Sequence, residues 1–271
     1  MTDEPRAKVR TRHFTQAKQR GVRITGLTSY DAQTAQIFDQ AGIDFLLVGD
    51  SAGNVVLGYD STVPVTVDEL IPLTRAVAHA VRRAFVIADM PFGSYEHGPD
   101  QALETGFRFM KETGASAVKL EGGRRSATQI ARLVEAGIPV MAHIGFTPQS
   151  EHRLGGHRVQ GRGADADELL ADAKAVEDAG AFAVVLEMVP SGVAKRATEL
   201  LSIPTIGVGA GPHVDGQLMV WSDFAGLTGG RVPRFVKQYA DLRSTLTEAA
   251  EAFREDVASG GYPAPEHEYP D

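Results

Sequence analysis

Short apolar segments alternate with longer amphipathic segments along almost the whole chain. The short segments are nearly continuous runs of apolar residues, which is typical of parallel strands that are buried on both faces. Eight segments show this pattern: VRITGLTS, IDFLLVGD, AFVIADM, SAVKLEG, IPVMAHIG, FAVVLEMV, IPTIGVGAG and, with the weakest pattern, QLMVWSD. Helical periodicity fills the intervals, so the order predicts strands that are joined through crossover helices.

Eight strand–helix units on one chain predict an α/β fold, the closed (β/α)8 or TIM barrel. An open doubly wound sheet is the alternative that the same pattern allows. The 271 residues suit a single barrel. We therefore expect one domain over residues 1–271, with an N-terminal lead-in helix and a C-terminal tail. A final helix is expected in VPRFVKQYADLRSTLTEAAEAFRED. The proline-rich, acidic ending GGYPAPEHEYPD favours a disordered end unless another subunit holds it in place.

The composition excludes several classes of function. The formal net charge of -8 argues against a nucleic-acid partner, because phosphate binding needs clustered Lys and Arg. Only RAKVRTRHFTQAKQR is locally basic, and its pattern favours an amphipathic lead-in over an RNA-binding arm. The sequence contains no cysteine, which removes disulfides and thiolate sites. No apolar run is long enough for a membrane span, so we expect a cytoplasmic protein without a membrane partner.

Ionisable residues lie where the predicted strands end. In a barrel the carboxyl ends of all strands share one face, so residues distant in sequence converge there. A single charged strand end is equally well explained as an ion pair in a loop. Six such residues after five strands predict a functional site, and they are Asp50, Asp89, Lys119, Glu121, His143 and Glu187.

The residue types at these strand ends predict a magnesium site. Several carboxylates without cysteine, and with only one strand-end histidine, form an oxygen-rich set that suits Mg²⁺ better than Zn²⁺. Asp50 and Asp89 are the best ligand candidates, because each is the first polar residue after its apolar run. Lys119 and Glu121 are two positions apart on their strand, so their side chains point to the same face. The lysine can bind an anionic substrate oxygen or pair with Glu121.

Two glycine-rich segments carry weaker signals. GVGAG, residues 207–211, is similar to a dinucleotide loop, but Pro212 stands where the third glycine belongs, and a close approach of strand and helix explains the glycines better. LGGHRVQGRG, residues 154–163, has the composition of a mobile lid or phosphate-contacting loop, and an ordinary exposed loop explains it equally well.

The strand ends lie within segments that resemble one known family. These run in the family's order from about Thr25 to Leu227, and GYDSTVPVT and PFGSY are highly specific among them. The segments are LTSYDAQTAQIFDQAGIDFLLVGDS, VVLGYDSTVPVT, ADMPFGSY, AVKLEGG, HIGFTPQS, LGGHRVQG, VVLEMVP, and IGVGAG followed by DGQ. The chain is similar to the ketopantoate hydroxymethyltransferases, also called 3-methyl-2-oxobutanoate hydroxymethyltransferases.

The resemblance implies a barrel of the phosphoenolpyruvate/pyruvate type with one Mg²⁺ per subunit. It implies transfer of the hydroxymethyl one-carbon unit of 5,10-methylenetetrahydrofolate to 3-methyl-2-oxobutanoate through a magnesium-stabilised enolate. The product is 2-dehydropantoate, a precursor of pantothenate and coenzyme A. The family also implies a homo-oligomer, commonly of ten subunits.

The resemblance further implies roles for individual residues. It places Asp50 and Asp89 as metal ligands, with Glu121 close to the metal shell, and Glu187 as the proton acceptor. The residues implied to contact the keto acid are Asp50, Ser51, Asp89, Lys119 and His143.

The sequence departs from the family at three positions, Ala52, Asn54 and Ser222, none of which removes a proposed ligand or the base. Two other functions stay open at this point. A lyase of the isocitrate lyase type would share the strand-end acids, but such enzymes use a loop cysteine that this chain lacks. A noncatalytic metabolite-binding barrel would bind the keto acid without turnover.

Overall fold

The protein is described by a computed structural model over residues 7–230 and 232–270. Packing divides the chain into two compact units, one ending at Val220 and the other beginning at Trp221. One domain over residues 1–271 stays a prediction.

The first unit contains a closed barrel of eight parallel strands in sequence order, in which β8 pairs with β1. The closure confirms the predicted barrel and contradicts the open sheet. The strands are β1 Ile24–Thr28, β2 Phe45–Val48, β3 Phe85–Asp89, β4 Ala117–Glu121, β5 Val140–Gly145, β6 Ala183–Glu187, β7 Thr205–Val208 and β8 Gly216–Met219. The prediction for the eighth segment was wrong at its end, because Trp221–Phe224 is a short helix.

Helices connect the strands. They are α1 Thr11–Arg20, α2 Ala32–Ala41, α3 Ala52–Val55, α4 Val67–Ala80, α5 Pro99–Thr113, α6 Ala127–Glu135, α7 Glu151–Leu154, α8 Asp165–Asp178 and α9 Ser191–Leu200, with 3-10 turns at Arg124–Ser126 and Pro148–Ser150. Local chemistry sets their ends: Thr66 and Glu69 form a capping box at the start of α4. Gly42 ends α2 in the left-handed conformation that glycine adopts without strain.

Alternate residues of each strand point into the barrel, and their character changes along the strand. The lower positions are apolar and belong to one buried cluster, which includes Phe45, Leu47, Phe85, Ile87 and Met141. The upper positions of β3, β4, β5 and β6 are ionisable. Pairing registers place Asp89 beside Lys119 and Glu121 beside His143. The same alternation therefore gives the barrel a dry amino end and a charged carboxyl end.

The lead-in helix α1 closes the amino end of the barrel. Its Phe14 is only 1% exposed, and its ring centroid lies 5.8 Å from that of Phe45, 5.5 Å from that of Phe85 and 5.1 Å from that of Phe182. Gly26 makes room for this packing, since a Cβ there would lie 2.1 Å from the Phe45 ring. The predicted amphipathic helix is confirmed, and its apolar face is buried.

The second unit contains helices α10 Trp221–Phe224 and α11 Leu242–Ser259 and a 3-10 turn at Pro265–His267. The predicted final helix begins later than expected, because the Asp241 side chain caps α11 by accepting a hydrogen bond from the Ser244 amide. Near the C-terminus, the Tyr262 ring lies 5.6 Å from that of Phe253 on α11. The disordered ending stays a prediction. No helix within the described ranges is long and apolar enough to cross a membrane.

We predict that Phe14→Ala lowers the free energy of unfolding by about 3–5 kcal/mol, because it leaves a cavity among three aromatic rings. Urea unfolding of the purified protein measures this change. Phe107→Ala is the matched control, since Phe107 on α5 is exposed, and a change within about 0.5 kcal/mol is expected there. Equal losses in both variants would contradict the role of Phe14 as the plug.

Candidate active site

All six ionisable residues predicted at strand ends lie at the carboxyl end of the barrel. Asp89, Glu121 and Glu187 are the last residues of β3, β4 and β6. The other three lie within two residues of a strand end: Lys119, His143 and Asp50. The convergence expected from the sequence is therefore present in the structure.

Asp50, Asp89 and Lys119 form one buried group. The amide N–H of Asp50 donates to Oδ2 of Asp89 at 3.0 Å. Oδ1 of Asp89 lies 2.8 Å from Nζ of Lys119. All three residues are almost completely buried, so their charges interact without much screening by water.

His143 connects this group to the two glutamates. Its Nδ1 lies 3.3 Å from Nζ of Lys119 and 3.4 Å from Oε1 of Glu121. Its Nε2 lies 3.2 Å from Oε2 of Glu187. The imidazole is buried, whereas the Glu187 side chain is 18% exposed. Glu187 thus lies between the buried charges and the solvent.

The surroundings of His143 favour its charged form. Burial and the Lys119 ammonium lower the pKa of His143, but contacts with Glu121 and Glu187 outweigh them and raise it to about 9. In the imidazolium both ring nitrogens carry a proton. Nδ1 then faces the Glu121 carboxylate and Nε2 faces the Glu187 carboxylate as ion pairs. The approach of Lys119 to Nδ1 is then a contact of like charges. Lys119 itself stays protonated, because Asp89, Glu121 and Asp50 raise its pKa against the opposing effect of burial.

Asp50 shows that negative charge is in excess here. Burial raises the pKa of Asp50 well above its usual range, and the charges of Asp89 and Glu121 raise it further. Lys119 and the Gln149 amide act in the opposite direction without cancelling this effect. An added cation would offset the repulsion among the three carboxylates.

Two observations bear on whether these residues fit a magnesium ion. Among the described residues, no three His, Cys, Asp or Glu side chains converge into a metal cage. Oδ1 of Asp89 and Oε1 of Glu121 are nevertheless buried without a hydrogen bond of acceptable geometry. Mg²⁺ usually takes one or two protein carboxylates and completes its shell with water and substrate oxygens. Asp50 and Asp89, with Glu121 beside them, fit that donor set.

Ser51 lies next to Asp50 and precedes the short helix α3. Its hydroxyl is 2.8 Å from that of Tyr30, in the loop after β1. This contact fixes the Ser51 side chain at the carboxyl end of the barrel, beside the predicted ligand Asp50.

Sequence reasoning missed two polar residues at this site, Gln149 and Tyr95. Both are buried, and Gln149 donates to Asp50 and to Glu121. Each lies inside a segment that carried the family resemblance, HIGFTPQS and PFGSY. That membership was the available signal, since neither residue is charged and neither ends a strand.

The segment after β5 reaches the Glu187 end of the site. The backbone N–H of Gln160 donates to the carbonyl of Met188 at 2.9 Å. The ring centroids of His157 and Phe146 lie 4.7 Å apart. Met188 has a positive φ of 48°, uncommon for a residue other than glycine. Its backbone is therefore constrained directly beside Glu187. The interpretation of residues 154–163 as a mobile lid stays a prediction.

The glycines of residues 207–211 serve a close approach of backbone and helix. A Cβ at Gly211 would lie 2.5 Å from the hydroxyl of Ser191, the first residue of α9. This packing agrees with the structural interpretation of the segment and requires no dinucleotide.

The departures Ala52 and Asn54 are accommodated in the loop after β2. Ala52 is fully buried. The side-chain amide of Asn54 donates to the carbonyl of Tyr59 at 3.0 Å, and the Tyr59 hydroxyl donates to Glu69 on α4. Asn54 thus helps to close its own loop. The third departure, Ser222, accepts a hydrogen bond from the Thr228 hydroxyl.

Comparison with known proteins decides the family. The sequence model described as ketopantoate hydroxymethyltransferase matches residues 8–265. The chain belongs to the ketopantoate hydroxymethyltransferase family. The family resemblance drawn from the motifs is confirmed.

Individual relatives agree with this assignment. A 3-methyl-2-oxobutanoate hydroxymethyltransferase of Leifsonia xyli subsp. xyli is 72% identical over 262 residues, which cover 97% of this chain and 95% of that protein. The protein of the same name from Saccharopolyspora erythraea is 64% identical over 264 residues, covering 97% and 90%.

A solved structure gives the fold type. Phosphoenolpyruvate phosphomutase from Streptomyces platensis subsp. rosaceus superposes with a TM-score of 0.62 at 17% identity, covering 96% of this chain and 92% of that chain. At this identity the similarity concerns the fold alone, and it agrees with the closed parallel barrel.

We predict a pH window in stability that depends on His143. Because the pKa of His143 is raised from 6.5 to about 9, its protonation stabilises the folded state fully below the unfolded-state value and ceases to do so as the pH rises through 9. In EDTA, the unfolding free energy lost in His143→Gln should be largest near pH 6 and shrink by on the order of 3 kcal/mol by pH 10. Urea unfolding across this range measures it. The control is exposed His79→Gln, and a pH-independent difference for His143→Gln would contradict the raised pKa.

Proposed function

We propose that this protein transfers the one-carbon unit of 5,10-methylenetetrahydrofolate to 3-methyl-2-oxobutanoate and so forms 2-dehydropantoate. The observation that carries the proposal is the placement of Glu187, through His143, beside the buried group of Asp50, Asp89 and Lys119. A keto acid needs one group to fix its oxygens and another to remove a proton from the neighbouring carbon. This end of the barrel supplies both.

Lys119 and Ser51 are proposed to bind the keto acid. Lys119 keeps its ammonium protonated among carboxylates, so it can attract an anionic substrate oxygen in a site with little water. Ser51, beside Asp50, can donate from its hydroxyl. Together these groups would orient the substrate and leave one carbon open to deprotonation.

Asp50 and Asp89, with Glu121 close by, are the residues proposed to hold Mg²⁺. When bound, Mg²⁺ supplies Lewis acidity that stabilises negative charge on the keto oxygen. Oε1 of Glu121 also lies 3.4 Å from Nδ1 of His143. A residue that is not a proposed ligand therefore helps to orient the Glu121 carboxylate. The negative excess described around Asp50 supports a cation at this place.

Glu187 is proposed to accept the proton from the carbon beside the keto group. Its carboxylate is partly exposed, which lets substrate reach it and lets its proton exchange with solvent. His143 holds Oε2 from the buried side and keeps the carboxylate aimed into the barrel mouth. The resulting carbanion equivalent would form a carbon–carbon bond to the one-carbon unit, water would supply the hydroxyl oxygen of the product, and tetrahydrofolate would leave.

The folate is too large for the barrel interior, so we propose that it lies across the loops at the carboxyl end. We further propose a cytoplasmic homo-oligomer, as the family resemblance implies. The net charge of -8 gives no support to a nucleic-acid partner.

We predict that the protein with 3-methyl-2-oxobutanoate, 5,10-methylenetetrahydrofolate and Mg²⁺ forms 2-dehydropantoate, and that EDTA abolishes this. Without folate, it should exchange the substrate's C3 proton with deuterium from solvent. Glu187→Gln should reduce this exchange by at least about 100-fold, because a general base is lost. Proton NMR follows the exchange.

Glu199→Gln on α9 is the matched control for the base, and it should exchange at the parental rate. Retained exchange in Glu187→Gln would assign the base elsewhere. Exchange without product formation in the parent protein would contradict the transferase assignment.

We predict that Asp50→Asn and Asp89→Asn each weaken Mg²⁺ binding by at least about tenfold, since each removes a carboxylate ligand charge at nearly constant volume. Isothermal calorimetry at constant pH measures the affinity. Asp60→Asn is the control, because Asp60 is exposed and lies, like Asp50, in the connection between β2 and α4. Parental affinity in both site variants would refute the ligand assignment.

A further inference from the structure

Gln149 lies in the 3-10 turn after β5 and has none of the roles proposed above. Its side chain is buried, at 5% exposure. A buried amide is costly unless its donors and acceptor find partners. The partners of this amide are therefore informative.

Gln149 contacts two of the proposed metal-site carboxylates. Its side-chain Nε2 donates to Oδ2 of Asp50 at 2.9 Å and to the carbonyl of Met90 at 3.0 Å. Its backbone N–H donates to Oε2 of Glu121 at 3.1 Å. A single residue in the turn that follows β5 thus holds the acid after β2, the acid that ends β4 and the backbone after β3.

Tyr95 fixes which way the amide points. Its hydroxyl donates to Oε1 of Gln149 at 2.5 Å and accepts a hydrogen bond from the amide of Glu121 at 3.2 Å. If the amide were reversed, its oxygen would face the Asp50 carboxylate and its nitrogen would face a hydroxyl hydrogen. Tyr95 therefore directs the two N–H donors of Gln149 towards Asp50 and Met90.

The hydrogen bonds described for this pair run to Asp50, Glu121 and Met90 and not to Glu187, and the pair brings no charge of its own. Its donors instead take up Oδ2 of Asp50 and Oε2 of Glu121, one oxygen of each carboxylate. A carboxylate held in this way has lost its rotational freedom before a cation arrives, and outer-shell hydrogen bonds of this kind tune metal affinity.

We propose that Gln149, oriented by Tyr95, is a positioning residue that presets the carboxylates of Asp50 and Glu121 for a divalent cation. The inference rests on the proposed function in that the cation site is the one assigned there. It adds two residues that act through the ligands and not on the substrate.

Manganese provides the test, because free and bound Mn²⁺ are distinguished by electron paramagnetic resonance without turnover. Gln149→Met keeps the side-chain length and removes the amide. We expect the Mn²⁺ dissociation constant to rise about 10- to 100-fold, with an unchanged near-UV spectrum. Deuterium exchange into the keto acid should return to within about twofold of the parental rate at saturating Mg²⁺, because Glu187 is untouched.

Gln129→Met is the matched control. Gln129 is also buried, at 8% exposure, and its Nε2 reaches the carbonyl of Tyr95 at 3.4 Å without contacting either acid. Its Mn²⁺ affinity should equal that of the parent. An equal loss in both variants would overturn the proposal, because any buried amide would then matter as much.

Tyr95→Phe keeps the test decisive if Gln149→Met does not fold. It removes only the hydroxyl that orients the amide, so a smaller loss of about threefold to tenfold is expected. Parental Mn²⁺ affinity in the folded variants would overturn this inference and leave the proposed function standing. Absence of Mn²⁺ binding in the parent protein would overturn both.

Discussion

Three buried carboxylates around one buried ammonium are the constraint on which this structure depends. Asp50, Asp89 and Glu121 lie at the carboxyl end of the barrel with Lys119 among them. Unpaired buried charge is among the most unfavourable features a folded protein can hold. Neighbouring carboxylates help to raise the pKa of Asp50, which disfavours its negative charge, and the pKa of His143, which favours its positive charge. The excess of carboxylates agrees with the proposed binding of a cation, and the Lys119 ammonium agrees with the proposed binding of an anionic keto acid.

The barrel holds these groups in place because it is closed and dry elsewhere. The amino end is filled by Phe14 and the rings around it, and tight packing of this kind resists displacement of the strands. Strand pairing then sets the geometry: Glu121 and His143 are register partners on β4 and β5, and Glu187 ends the next strand. Acid, imidazole and proposed base therefore lie in a row around the rim.

Much of this could be predicted from the sequence, because it follows from simple periodicity. Near-continuous apolar runs predicted the eight strands. The ionisable residues at five strand ends were predicted to converge, and they do so at the carboxyl end of the barrel. Their function as a site stays a prediction. The family motifs then supplied roles. The expected start of the final helix was wrong, since the pattern around Val232 continues the apolar periodicity although Asp241 begins the helix. The predicted strand QLMVWSD extended into the short helix Trp221–Phe224, because the apolar run of β8 continues to Trp221.

The contacts that orient the site could not be predicted. Gln149 reaches Asp50 across 99 positions of sequence, and an uncharged amide in a loop has no periodic signal. The contact of His143 with Glu187 depends on barrel register and side-chain direction, which a single sequence does not encode in readable form. Strand ends are predictable for local reasons, whereas the hydrogen bonds between them are set by packing of the whole barrel.

The central proposal is that the carboxylates of Asp50 and Asp89 coordinate the same divalent ion. A crystal structure of the protein with Mn²⁺ and 3-methyl-2-oxobutanoate, with anomalous data for manganese, tests it most directly. The account predicts one peak per subunit within bonding distance of both carboxylates, with the keto acid's oxygens completing the shell beside Lys119. A peak that lies away from either aspartate, or keto acid bound at this rim without any manganese, would contradict it.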